Sequence, residues 1–277
     1  MSVDDVGGRG LIVDGLGISG PAGALLTDVS FAIEPGSRLG LIGESGSGKS
    51  LTALALIGLL PDGLSATGHV SLAGQEIVGT PERVMNTVRG RDVAVVFQEP
   101  LTALDPLMTI GRQLSEPLRR RAAADGEQLT KREALLLARD RLAAVRLPDP
   151  ERIARAYPWE ISGGQRQRAA LAIALAGRPG LLIADEPTTA LDVTVQSDIL
   201  DLLDRLVDER GMSLLFISHD LAVVARVAPR VVVLERGIAV ESGDLAELLR
   251  DPQHPYTREF VASARELDAA LDWGGER

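Results

Sequence analysis

Short apolar runs broken by Gly, Pro and Asp fill the first third of the chain. They predict strands over 11–18, 26–33, 37–42 and 69–72, with a buried strand over 92–97 (D-V-A-V-V-F). Between strand 37–42 and the next run, L-T-A-L-A-L-I-G-L-L at 51–60 predicts a buried helix. The period then changes: apolar positions recur at helical spacing over 110–121, 131–145 and 165–176, with a polar stretch at 122–130. This reads as an inserted helical lobe. Alternation of strand and helix returns afterwards, with strands over 180–184, 213–217 and 230–234 and helices over 194–209 and from Asp220. Such alternation implies an α/β fold with a parallel sheet covered by helices. A short helix over 245–250, a helical segment from Tyr256 and a frayed end, D-W-G-G-E-R, complete the pattern.

The turn between strand 37–42 and helix 51–60 reads G-E-S-G-S-G-K-S: Gly43, Glu44, Ser45, Gly46, Ser47, Gly48, Lys49 and Ser50. Glycines at a strand-to-helix turn let backbone N–H groups close around phosphates, and the helix N-terminus adds about half a positive charge. Lys49 is one of two lysines in 277 residues, Lys131 being the other, against 27 arginines. A compact ammonium reaches into a phosphate-filled loop where a planar guanidinium fits badly. The stretch therefore predicts a nucleoside triphosphate site with Ser50 on a magnesium ion; the plain alternative is an ordinary glycine turn.

Composition narrows the field. With 45% apolar residues the chain can bury a full core, and with no cysteine it holds no disulfide and no thiolate metal site. His69, His219 and His254 are too scattered for a zinc site. A net charge of −10 argues against a nucleic-acid surface, and Arg119-Arg120-Arg121 suits a solvated helix face. No apolar run reaches the roughly 18 residues that span a bilayer, and the start M-S-V-D-D-V is acidic where a signal peptide would be basic. Any membrane role would need another chain as anchor.

Further chemistry lies downstream. L-L-I-A at 181–184 ends in Asp185 and Glu186, and strand ends of a parallel sheet form its ligand crevice, so these acids are expected to meet phosphates held by Lys49. Asp185 suits a magnesium shell and Glu186 the polarising of an attacking water, against an Asp-Glu pair that merely opens a turn before Pro187. Ser162-Gly163-Gly164-Gln165 is a second glycine-rich helix start, able to bind anions or simply to cap a helix.

In order, the chain carries G-E-S-G-S-G-K-S, V-V-F-Gln98-E-P, I-S-G-G-Q, L-L-I-A-D-E-P, T-A-L-Asp192 and F-I-S-His219-D. This set closely resembles the ATP-binding cassette (ABC) family over nearly the whole chain. The resemblance implies a P-loop NTPase (RecA-like) parallel-sheet core with an N-terminal antiparallel β subdomain and an inserted α-helical subdomain. It places the ATPase domain at 1–250, with the core at about 1–98 and 179–250, the helical subdomain at about 99–178 and a short extension at 251–277. It makes Gly43 to Ser50 the Walker A loop, Gln98 the Q-loop glutamine, Ser162, Gly163, Gly164 and Gln165 the signature, Asp185 and Glu186 the Walker B pair, Asp192 the D-loop and His219 the switch histidine. ATP and Mg²⁺ are the implied cofactors, with Ser50, Gln98 and Asp185 around the metal. Glu186, His219 and Gln98 are the implied catalytic set; without the resemblance, His219 would read as a cap at a helix start.

The family's logic adds partners. The signature of one chain faces the Walker A loop of another, so two ATP molecules lie in a homodimer or in a heterodimer with a similar subunit. The stretches F-Q-E-P-L-T-A-L-D-P-L-M-T-I-G and L-I-A-D-E-P-T-T-A-L-D-V-T-V-Q, with the tail's H-P-Y-T-R, look like the ATPases of oligopeptide, dipeptide and nickel importers. That resemblance implies two membrane permease subunits, an extracytoplasmic solute-binding protein acting indirectly, and a place on the cytoplasmic face of the cell membrane. The alternative is an ATPase subunit of a soluble enzyme complex, as in the phosphonate-degrading lyase. Two departures stand out: no aromatic residue precedes Phe31, Gly20 sitting near where the family stacks adenine, and the cysteine-rich cluster that several relatives carry after H-P-Y-T-R is absent.

Overall fold

The computed structural model describes residues 10–98, 103–189 and 192–274, with side chains to 265. The acidic start, parts of the V-V-F-Q-E-P-L-T and T-A-L-D motifs, and the final Gly-Glu-Arg lie outside the described residues. The chain divides into two units, Met1–Pro81 with Ser213–Arg277, and Glu82–Met212.

The first unit opens with an antiparallel sheet in the order β2-β1-β4-β5, formed by β1 (Leu11–Gly20), β2 (Gly23–Ile33), β4 (Ser65–Leu72) and β5 (Gln75–Glu76). Alternate residues of β1 and β2, among them Leu11, Val13, Val29 and Ile33, are buried on one face, as a half-buried sheet requires. A second group of strands runs in the order β10-β9-β3-β8: β3 (Arg38–Ile42), β8 (Ser213–Ser218), β9 (Arg230–Glu235) and β10 (Ile238–Asp244). β3 pairs in parallel with both β8 and β9, with Leu41 opposite Ile217 and Val232. β9 and β10 form a hairpin through Arg236 and Gly237, both at positive φ (48° and 82°), as a two-residue turn demands.

Every residue of β8 is buried, and Phe216 has no exposed surface. Phe216→Ala removes a large side chain from a site that cannot collapse around the loss, so urea denaturation is expected to show a loss of about 3–5 kcal/mol. Helix α1 (Lys49–Leu56) follows β3 and stops four residues short of the stretch predicted from apolar content. Gly58 takes φ 62° and its N–H donates to the Ala55 carbonyl, while Leu59 N–H donates to Leu54; this left-handed cap ends the helix although apolar residues continue.

The second unit contains α2 (Glu82–Val88), β6 (Val93–Val96), α3 (Ile110–Ala124), α4 (Lys131–Ala144), α5 (Pro150–Arg155), α6 (Gly163–Ala174), β7 (Leu181–Asp185) and α7 (Val193–Arg210). β6 and β7 pair in parallel, Val93 opposite Leu181, and all five residues of β7 are buried. Helix α4 starts in a capping box: Thr130 Oγ1 accepts from Glu133 N–H and Glu133 Oε2 accepts from Thr130 N–H. The first unit closes with α8 (Leu221–Val227), α9 (Leu245–Arg250) and α10 (Pro255–Gly274).

Candidate functional site

The phosphate-loop candidate lies between β3 and α1. Gly43 sits at φ 148°, and a Cβ there would collide with the Leu234 carbonyl of β9, so the loop leaves the sheet where only glycine fits. The loop is then fixed by backbone bonds: Ser47 N–H donates to Glu44 O at 3.2 Å, Gly237 N–H of the β9–β10 turn to Ser47 O at 3.0 Å, and Thr52 N–H to Gly48 O at 2.8 Å.

Lys49, at the first turn of α1, is 5% exposed. Its Nζ donates to Gly43 O and to Glu44 O, each at 2.8 Å. The ammonium thus lies inside the ring of loop carbonyls rather than on the surface. These dipoles help solvate a buried charge that would be costly without partners.

The loop fits a triphosphate and its cation. Ser47 buries its Oγ with no hydrogen-bond partner, a donor suited to a phosphate oxygen, and Ser50 is exposed on the first turn of a helix whose N-terminus favours negative charge. Ser45 and Gly46 are exposed as well.

In the second unit, Asp185 ends β7 and is 5% exposed. Glu186 follows at φ 46°, although the next residue, Pro187, favours extended backbone before it. Thr189 secures this turn twice: its N–H donates to Glu186 O at 3.2 Å and its Oγ1 to Glu186 Oε2 at 2.9 Å. A non-glycine residue held in the left-handed region costs of order 1–3 kcal/mol and persists only where its surroundings over-determine it.

Ser162 and Gln165 form a reciprocal cap on α6: Ser162 Oγ accepts from Gln165 N–H at 3.3 Å, and Gln165 Oε1 accepts from Ser162 N–H at 3.1 Å. The capping alternative is therefore present in the structure, and it leaves the anion-binding end of α6 with Gly163, where a side chain would meet open space. Gly164 lies against Val195 of α7, whose Cγ1 a Cβ would approach to 2.8 Å. Asp192 caps α7, its Oδ1 accepting from Val195 N–H at 3.0 Å. The same Val195 thus touches the signature-like turn and receives the cap of the aspartate at the D-loop position. Gln98 lies exposed after β6.

His219 is exposed at the end of β8 in the first unit. It is not a cap: Asp220 takes that place, its Oδ1 accepting from Ala222 and Val223 N–H at 2.9 and 3.2 Å. Gly20 ends β1, where a Cβ would come within 2.6 Å of Leu64 Cδ2. A leucine therefore fills the space beside the position near which the resemblance implies an adenine-stacking aromatic residue.

One participant has no signal in the motif itself. Tyr256, at the start of α10, accepts a hydrogen bond from Glu44 N–H at 2.9 Å, 212 residues away in sequence. Only the string H-P-Y-T-R marks that region in the sequence.

The ABC transporter family model matches residues 26–189. A peptidoglycan transport ATP-binding protein, YejF, of Agrobacterium fabrum is 47% identical over 88% of this chain and 44% of its own length, so the chain spans less than half of that relative. A putative peptide import ATP-binding protein of Brucella melitensis, BMEII0863, is 46% identical over 89% of the chain and 74% of its own length. Among solved structures, the dimeric ATP-binding cassette MJ0796 in a post-hydrolysis state bound to ADP and Pi superposes with a TM-score of 0.74 at 28% identity, covering 85% of this chain and 98% of its own. The chain therefore belongs to the ABC transporter family as an ATP-binding cassette.

Proposed function

We propose that this chain is the ATP-hydrolysing motor subunit of an importer for peptides or a related small solute such as a metal chelate, working through partner permeases. The observation that carries the reading is the Lys49 ammonium held inside its loop by two carbonyls, in a chain whose relatives are named for peptide and peptidoglycan transport. In this reading the amides of residues 43–50 bind the β- and γ-phosphates of ATP. Ser50, Gln98 and Asp185 hold the magnesium ion, which supplies charge neutralisation on the phosphate oxygens. Glu186 accepts a proton from the attacking water, and His219 contacts the γ-phosphate. Ser162 to Gln165 and Asp192 face the ATP of a second such chain, identical or similar, so that two nucleotides close the dimer.

The domain assignment carries over in the same terms: a nucleotide core at about 1–98 and 179–250, a helical lobe at about 99–178 and an extension at 251–277. Among the described residues no helix is long and apolar enough to cross a membrane. In this reading the chain attaches to the cytoplasmic face through the permeases, and a solute-binding protein acts from the other side. Large apolar side chains stand exposed in the second unit: Leu107 at 85%, Val193 at 83% and Trp159 at 64%, the last stacked on Tyr157 with centroids 5.8 Å apart. Such groups supply contact area for partner subunits. No observation favours the lyase-complex alternative.

Affinity purification of the tagged chain from detergent-solubilised membranes is expected to recover a polytopic membrane protein together with an ABC ATPase. Recovery of soluble enzyme subunits alone would sink the import reading. Vesicle uptake by the reconstituted complex, offered peptides and metal chelates in competition, then names the cargo.

A further inference from the structure

The segment after α9 carries chemistry that nucleotide hydrolysis does not use. Its approach to α10 is fastened at two consecutive amides: Gln253 N–H donates to Glu241 Oε1 and His254 N–H to Glu241 Oε2, each at 2.9 Å. Burial works to raise the Glu241 carboxyl, but the Gln253 amide, the Thr257 side chain, the His254 amide and the His254 ring together outweigh it and hold the group below the usual carboxylate range. One β10 carboxylate therefore sets the direction in which the chain enters the last helix. Pro255 begins that helix, its fixed φ suited to a first helical position.

From this anchored start, Tyr256 reaches the phosphate loop. Its hydroxyl accepts the Glu44 N–H at 2.9 Å, and its ring stacks on Phe260 with centroids 6.0 Å apart. Burial pushes the Tyr256 phenol up, so the hydroxyl stays neutral at ordinary pH. Glu44 is the residue whose carbonyl takes the Lys49 ammonium and the Ser47 N–H. Its backbone is consequently held from both sides, by Tyr256 at the nitrogen and by Lys49 at the oxygen. A cavity of about 490 Å³, lined by Glu44, His219, Asp220, Tyr256, Glu259 and Phe260, lies beside this contact. With that space next to it, the hydroxyl bridges to the loop where packing does not.

We propose that Tyr256 is a positioning residue for ATP binding, the tip of a strut that runs from Glu241 through residues 253–255 to the Glu44 amide and presets the loop around Lys49. The inference rests on the reading of residues 43–50 as the ATP site. Because coupling is reciprocal, ATP binding should in turn protect the first turns of α10 from hydrogen exchange.

The test uses the full chain, with Mg-ATP affinity by calorimetry, steady-state turnover and amide hydrogen exchange. Tyr256→Phe keeps the ring and its stack on Phe260 and removes only the acceptor. It is expected to weaken Mg-ATP binding about 3- to 10-fold and to raise KM by the same factor, with kcat within about twofold of wild type, the scale of one hydrogen bond. Exchange at the Glu44 amide should quicken, and the melting temperature without nucleotide should stay near wild type. Glu241→Ala should shift KM in the same direction, and the double variant should be no worse than the more impaired single one, since both act along one path. Unchanged affinity and unchanged Glu44 exchange in Tyr256→Phe would overturn the strut. Lys49→Ala serves as the control: if it binds ATP as wild type does, the nucleotide reading fails, while the Glu44 exchange rate still decides whether the strut exists.

Discussion

Glu186→Gln is expected to bind Mg-ATP, to hold a closed dimer and to lose turnover by about 10²- to 10⁴-fold, the range in which a positioned general base contributes. The substitution is nearly isosteric. The Thr189 hydroxyl, 2.9 Å from Oε2, can donate to an amide oxygen as it does to the carboxylate, and Thr189 N–H still meets the backbone carbonyl of residue 186. The turn before Pro187 should therefore survive, with stability within about 0.5 kcal/mol. What disappears is the carboxylate proposed to accept a proton from water. Single-turnover hydrolysis and size-exclusion chromatography with ATP separate the two consequences: arrested chemistry with a trapped dimer supports the assignment. Turnover at the wild-type rate would remove Glu186 from that role.

Lys49→Ala should weaken Mg-ATP binding by about 10- to 100-fold, because a charge-assisted bond to phosphate is worth roughly 1.5–3 kcal/mol. The loop itself is also affected, since the Gly43 and Glu44 carbonyls lose their shared donor. Lys49→Arg is not expected to rescue binding. The side chain is 5% exposed and its ammonium fits between two carbonyls 2.8 Å away, a space for a point charge and not for a planar fork. Calorimetry on all three forms checks this, and equal dissociation constants would refute it.

The pieces of the candidate site stand out in the sequence because each is local. A glycine loop between strand and helix, a buried strand that ends in two acids, and Ser-x-x-Gln before a helix each announce themselves within eight residues. The capping box at Ser162 and Gln165 is equally local, since Ser-x-x-Gln is itself its signature. Short elements were harder. Helix α5 has six residues, yet Asp149-Pro150-Glu151 carries the start signals of a cap, a proline and an acid in the first turn. Strand β10 was missed because I-A-V-E-S-G-D has no fully buried residue and hence no clean alternation. Helix α1 ended early because a single left-handed glycine outweighs the apolar residues beyond it.

Other features could not be read locally at all. The bond from Glu44 to Tyr256 joins residues 212 apart, and nothing in either segment specifies the other. The backbone of Glu186 runs against the local rule, since a residue before proline is expected to be extended. Buried β7 on one side and Thr189 on the other hold it where it is.

That same backbone bears on how the protein could be made more heat-resistant. Position 186 is one where glycine would relieve torsional cost, so a screen that rewards melting temperature alone would be drawn to it. Every variant gained there would be a sturdier cassette without the base proposed for water. Selection that scores the proposed ATP hydrolysis, and not heat resistance, has reason to leave the discomfort in place.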